Sequence, residues 1–115
     1  MFYQGSCHCG NVKFTVEGEL SEVMACNCSI CQRKGALMWF LPSSQVTVQS
    51  PKLPLKSYEF NKHAIAHKFC PTCGIHSIAE GADSAGNKIT CINIRSLEDF
   101  DIDSVPIKHY DGRAA

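Results

Sequence analysis

The chain has 115 residues, and its eleven Lys and Arg balance eleven Asp and Glu, so its formal charge is zero. A chain of this size buries roughly two thirds of the surface its unfolded form exposes, which supports one modest core and leads us to expect a single domain over residues 1–115. Neutrality without a Lys/Arg cluster argues against nucleic acid and against an anionic membrane surface as partners, and the longest apolar run, residues 36–41, falls far short of the roughly 18 residues that cross a bilayer.

Residues 1–6 (MFYQGS) lack a charged region followed by an apolar one, so no secretory signal is expected and a reducing, cytoplasmic setting is the simplest reading. Val12, Phe14 and Val16 then alternate with Lys13, Thr15 and Glu17, the period-two pattern of a strand with one buried face. The one helical stretch expected is short, residues 29–34, with Ser29 placed to cap it and Gly35 to end it. Further strands are expected at residues 36–41, 45–49, 55–60, 64–69, 75–79 and 88–94, separated by turn residues at Pro42-Ser43-Ser44, Ser50-Pro51-Lys52 and Ala85-Gly86-Asn87. The last of these turns reads as a hairpin connection between strands 75–79 and 88–94. Trp39 and Phe40 lie in the most apolar strand and read as core, with either able to wall a pocket, while residues 37–41 offer material for a dimer surface. Residues 111–115 read as a frayed tail.

Eight residues are Cys, and seven of them form three clusters. In a secreted chain this count suggests disulfides, whereas in a reducing compartment it points to metal ligands or reactive thiols. In Phe69-Cys70-Pro71-Thr72-Cys73-Gly74, Pro71 presets a turn and Gly74 relieves crowding after the second sulfur, the pattern of a zinc knuckle. Cys7-His8-Cys9-Gly10 is a tighter pair, and the two pairs together complete one four-sulfur site, closed and structural. Cys26, Cys28 and Cys31 supply three donors within six residues and leave a tetrahedron one short. Three thiolates on a divalent ion leave a net negative charge, which suits a soft, exchangeable thiolate as fourth ligand better than it suits activation of water. The competing reading is a second closed site, with Cys91 or a His as the fourth donor. Cys91 stands alone in a strand, where a cysteine commonly behaves as a small buried hydrophobe. His8, His63, His67, His76 and His109 read as surface or hydrogen-bonded residues, His76 being notable because it closely follows the knuckle. Counting the ligating sulfurs as thiolates turns the neutral chain into a mildly anionic holo protein, which strengthens the case against nucleic acid.

Gly5-Ser6-Cys7-His8-Cys9-Gly10-Asn11-Val12, Cys26-Asn27-Cys28-Ser29-Ile30-Cys31 and Phe69-Cys70-Pro71-Thr72-Cys73-Gly74-Ile75-His76 resemble the three cysteine blocks of the glutathione-dependent formaldehyde-activating enzyme family, which includes centromere protein V. Residues 91–94 and 106–110 are similar to less specific blocks of the same family. The resemblance implies a mainly β fold, a β-tent of small antiparallel sheets around a structural four-cysteine zinc, with a second zinc at the active site. It implies Cys7, Cys9, Cys70 and Cys73 on the structural ion and Cys26, Cys28 and Cys31 on the catalytic one. It further implies a carbon–sulfur lyase activity in which glutathione thiolate occupies the open position and adds to formaldehyde or another small aldehyde. Arg33 and Lys34 can then pair with glutathione carboxylates. The centromeric relatives suggest the alternative of a noncatalytic, zinc-stapled binding module. Where the family usually carries Thr or Ser between the knuckle glycine and His, this chain has Ile75.

Overall fold

The computed structural model describes residues 1–50, 53–60 and 65–113. The expected turn at Ser50-Pro51-Lys52, His63 and the last two residues of the expected tail therefore lie wholly or partly outside the described residues. The first third of the chain forms β1 (Phe2–Ser6), β2 (Lys13–Glu17), β3 (Val23–Cys26) and the short helix α1 (Ser29–Lys34). There follow β4 (Met38–Pro42), a 3-10 turn at Ser43–Gln45, β5 (Val46–Gln49) and β6 (Lys56–Tyr58). The rest comprises β7 (Ala66–Phe69), β8 (Ile78–Ala82), β9 (Lys88–Asn93), two more 3-10 turns and β10 (Ile107–Tyr110).

Two sheets result. β1, β2 and β5 form an antiparallel three-stranded sheet, in which Phe14 and Val16 turn inward at 2% and 0% exposure as the alternation predicts. The larger sheet runs β10-β3-β4-β9-β8-β7-β6. Its neighbours pair antiparallel except β10, which lies parallel to β3, a departure from the purely antiparallel sheets expected. Both sheets contribute to one apolar core, with Phe14 and Val16 from the small sheet packed with Val23, Trp39, Leu41, Ile78 and Ile92 from the large one. Gly5 is required opposite Phe14 in the small sheet, because a Cβ there would strike the Phe14 ring.

Three strands are not expected from the sequence. β1 and β10 are edge strands, and β10 is exposed along its whole length, so neither carries an apolar alternation, while β3, interior to the large sheet, has only four residues with Val23 alone buried, too short to show one. β8 begins three residues later than expected, because residues 75–77 close other contacts first: the Ile75 carbonyl accepts from the Cys70 amide and the Ser77 carbonyl from the Asn93 amide. The hairpin between β8 and β9 forms as expected, with Gly86 at φ 85° and the Asp83 carboxylate accepting the Ala85 and Asn87 amides at 2.9 Å.

Three expectations are corrected. Phe40 is 49% exposed, on the face of β4 opposite the core that holds Trp39, so it walls a surface groove and is not a core residue; its neighbours Leu37, Met38, Trp39 and Leu41 are buried and unavailable to a dimer partner. The tail is not frayed through residue 113, because Asp111 and Arg113 hydrogen-bond to Asn27. Burial predicts that Ile92→Ala, at a fully buried site, lowers unfolding stability in saturating metal by about 2–5 kcal/mol, while Phe40→Ala changes it by about 0.5 kcal/mol or less. Equal costs in a denaturant titration would contradict the assignment of these two faces.

Candidate metal centres

The first cysteine pair sits in the turn that follows β1. The Gly10 amide donates to the Cys7 carbonyl, Gly10 takes φ 84°, and the Val12 amide points at the Cys7 sulfur at 3.3 Å. The second pair repeats the arrangement after β7, with the Gly74 amide on the Cys70 carbonyl, Gly74 at φ 76°, and the Thr72 amide 3.4 Å from the Cys70 sulfur. Each glycine is there because the turn needs a left-handed residue just past the last sulfur. The four sulfurs of Cys7, Cys9, Cys70 and Cys73 lie within 4.8 Å of one another. Cys7 to Cys9 is 3.7 Å and Cys9 to Cys70 is 3.6 Å. A tetrahedron with metal–sulfur bonds of about 2.3 Å has edges of about 3.8 Å, so the sulfurs stand where a tetrahedral ion would hold them. A disulfide needs sulfurs about 2.05 Å apart, and all eight cysteines are free, which disposes of the disulfide framework.

Charge is prepared unevenly across this cluster: the Asn11 amide pulls the Cys9 thiol down, but burial and the neighbouring thiols outweigh it and push it up to about 11. The Cys73 amide outweighs burial, with help from the Thr72 amide, and brings the Cys70 thiol down to about 6. Asn11 buttresses the site from behind, donating from Nδ2 to the Leu53 carbonyl at 2.8 Å and accepting from the Leu53 amide at 3.1 Å. Ile75 serves through its carbonyl, and its side chain is largely exposed.

The second cluster straddles the junction of β3 and α1. Cys26 ends the strand, Cys28 is the N-cap of the helix, and Cys31 lies within the helix. Cys28, and not Ser29 as expected, takes the cap position, and no side-chain hydrogen bond caps the helix end. Gly35 stops the helix as predicted, at φ 66° with its amide on the Cys31 carbonyl. The three sulfurs converge within 4.8 Å, and no fourth His, Cys or carboxylate joins them among the described residues. Burial pushes the Cys28 thiol up, but the Cys31 and Ile30 amides and the adjacent thiols win, and its pKa lies below the ordinary value. Cys31 goes the other way, pushed up to about 12 first by burial and then by Cys28. Three sulfurs this close become thiolates together only beside a cation, and the donor set therefore fits a metal.

Cys91 lies outside this trio. It is buried with Ala36, Met38 and Ala79, a patch against which Cys26 and Cys31 pack, and burial pushes its thiol up to about 12. It behaves as the small buried hydrophobe expected. Met38 completes the apolar flank, its Sδ 3.9 Å from the Cys31 sulfur. His8 and His109 are exposed. His67 and His76 stack on Phe60 and Phe69, with ring centroids 5.7 and 5.1 Å apart, and both Nδ1 atoms are buried without a hydrogen-bond partner among the described residues. Burial, then the charge of Lys34, holds both imidazoles below the usual histidine range, and neither joins a sulfur cluster.

Two spaces border the trio's helix. An open groove of about 350 Å³ runs between α1 and β6, lined by Ser29, Ile30, Arg33, Tyr58 and Phe60. Near the C-terminal end of α1, Lys34, Ala36, Met38, Ser77, Cys91 and Asn93 are among the residues around a niche of about 10 Å³, room for the centre of one water-sized molecule. Arg33 and Lys34, paired in sequence reasoning, thus serve different spaces. Asn93, which that reasoning did not single out, bonds the Leu37 amide and the His76 carbonyl across this niche; a lone Asn at a strand end carries no readable signal.

A family model described as glutathione-dependent formaldehyde-activating enzyme matches residues 2–110. A crystal structure of a Rhodobacter sphaeroides protein is similar to this chain at 29% identity and a TM-score of 0.76, over 91% of this chain and 99% of that one. With cysteine order, sheet topology and the extent of both matches in agreement, the chain belongs to the glutathione-dependent formaldehyde-activating enzyme family.

Proposed function

We propose that this chain is a zinc-dependent enzyme of the carbon–sulfur lyase type that joins glutathione to formaldehyde or another small aldehyde as an S-hydroxyalkyl adduct. Cys7, Cys9, Cys70 and Cys73 hold a structural zinc, and Cys26, Cys28 and Cys31 hold a second. The observation that carries this reading is the three-sulfur cluster with no fourth protein donor among the described residues, beside a groove large enough for a tripeptide. Eight free thiols suit a reducing, cytoplasmic compartment.

The second ion, when bound, supplies an open position that favours thiolate over thiol. The chain supplies the rest. Ile30, Tyr58 and Phe60 offer apolar surface to the peptide, and Arg33 at the rim keeps guanidinium donors for a carboxylate while its Nη1 bonds the Ser29 carbonyl at 2.7 Å. The niche, with room for the centre of one water-sized molecule, favours the smallest carbonyl compound, formaldehyde, over larger ones, and among the described residues lining it Lys34 alone is formally charged. The sulfur of glutathione bonds to the carbonyl carbon, the carbonyl π pair moves to oxygen, and that oxygen takes up the proton the thiol gave up. Lys34 is placed to favour the developing alkoxide and to pass that proton. Delivering the thiol sulfur to the trio, whose Cys26 and Cys31 pack against niche residues Ala36, Met38, Ala79 and Cys91, makes proximity the main catalytic contribution.

Cys31→Ala is expected to lower bound zinc from about two to about one per chain and to abolish adduct formation, whereas Cys91→Ala keeps both ions and activity within a few-fold. Loss of the second ion in Cys91→Ala would establish a closed site and favour the noncatalytic binding module. Arg33→Ala is expected to raise KM for glutathione about tenfold with kcat little changed, as loss of one charged hydrogen bond predicts. An unchanged KM would remove Arg33 from the thiol site.

A further inference from the structure

The segment just past the last strand is bound to the second cysteine cluster more closely than any edge-strand pairing requires. Asn27 stands between two of the sulfur donors, and all four of its hydrogen-bonding groups are taken by residues 110–113. Its backbone amide donates to the Tyr110 carbonyl at 3.2 Å, and its Nδ2 donates to Asp111 Oδ1 at 2.9 Å. Its Oδ1 accepts the Arg113 amide at 3.2 Å, and its carbonyl accepts Arg113 Nε at 2.9 Å. Arg113 also reaches Gln32 of α1 through Nη2, so one guanidinium bridges the loop that carries Cys26 and Cys28 to the helix that carries Cys31. Between these anchors Gly112 lies against the Cys26 sulfur: a Cβ on it would stand 2.5 Å from that sulfur and 2.9 Å from Cys28 Cβ.

We infer that Asp111–Arg113 is a positioning strap for the second metal centre, with Arg113 locking the loop to the helix and Gly112 admitting the strap against Cys26. This rests on the reading of Cys26, Cys28 and Cys31 as metal ligands. The family match ends at Tyr110, so the strap lies beyond the residues that define the family. Three donors on a strand end, a two-residue connection and a helix of six residues have little intrinsic rigidity, and the closed four-sulfur site has no corresponding need, since two glycine-ended turns already fix its donors. Residues that orient metal ligands without touching the metal are typically worth about 10–100-fold in affinity. The guanidinium fork spans two acceptors on different elements, which a lysine cannot do.

The test is chelator competition on the full chain loaded with zinc, resolving two classes of site, the weaker assigned by its absence in Cys31→Ala. Arg113→Ala is expected to weaken that class about 10–100-fold and leave the four-sulfur class unchanged, with Arg113→Lys failing to restore it. Gly112→Ala keeps every Arg113 donor yet is expected to weaken the same class, and cobalt substituted at that site should show altered visible absorption in both variants. Affinity within twofold of the parent in both variants, or equal weakening of both classes, overturns the strap. A parent chain that binds a single ion overturns instead the underlying reading of the trio.

Discussion

The fold depends on the convergence of two turns sixty-one residues apart. Cys9, just after β1, and Cys70, just after β7, bring their sulfurs to 3.6 Å, and that meeting ties the first strand of the small sheet to the far half of the large one. As thiolates, four sulfurs in contact need a cation to offset their charge, so an ion held there would stabilise the arrangement of the sheets. The apolar core alone is modest for a chain of this length, and a metal-dependent staple is a common way for small domains to supply what burial does not.

The two cysteine clusters use one donor type in opposite ways. In the first, Cys7 and Cys70 are buried, amides face the sulfurs, and the tetrahedron is full. In the second, three partly buried sulfurs sit where a strand becomes a helix, with groove, niche and strap arranged around them. The helix is what separates the surroundings: its side chains at 29, 30 and 33 face the groove, and Lys34 faces the niche. A short helix bounded by Cys28 and Gly35 thus contributes one sulfur of the trio, a wall of the groove and two basic side chains that line different spaces.

What could be read from the sequence was what depends on local geometry. The partition of seven cysteines into four and three follows from spacing, the helix end at Gly35 from the need for a left-handed residue, and the strand at Phe14 and Val16 from alternation. What could not be read depends on tertiary neighbours. β10 has no buried residue to mark it, and Asp111, Gly112 and Arg113 look like any polar terminus until β10 delivers them to Asn27. Phe40 reads as core because its strand is apolar, but the face it occupies is decided by its pairing with β9. The niche is built from α1, β4, β8 and β9 together, so no single segment announces it.

The central claim is that one centre is filled by the protein and the other leaves a place for an external thiol. X-ray absorption at the zinc edge tests it directly, because the signal averages both ions. The account predicts about 3.5 sulfur neighbours per zinc in the protein alone, rising to about 4 when glutathione is added, at bond lengths of about 2.3 Å. Four sulfurs per zinc before glutathione, unchanged after it, would contradict the account.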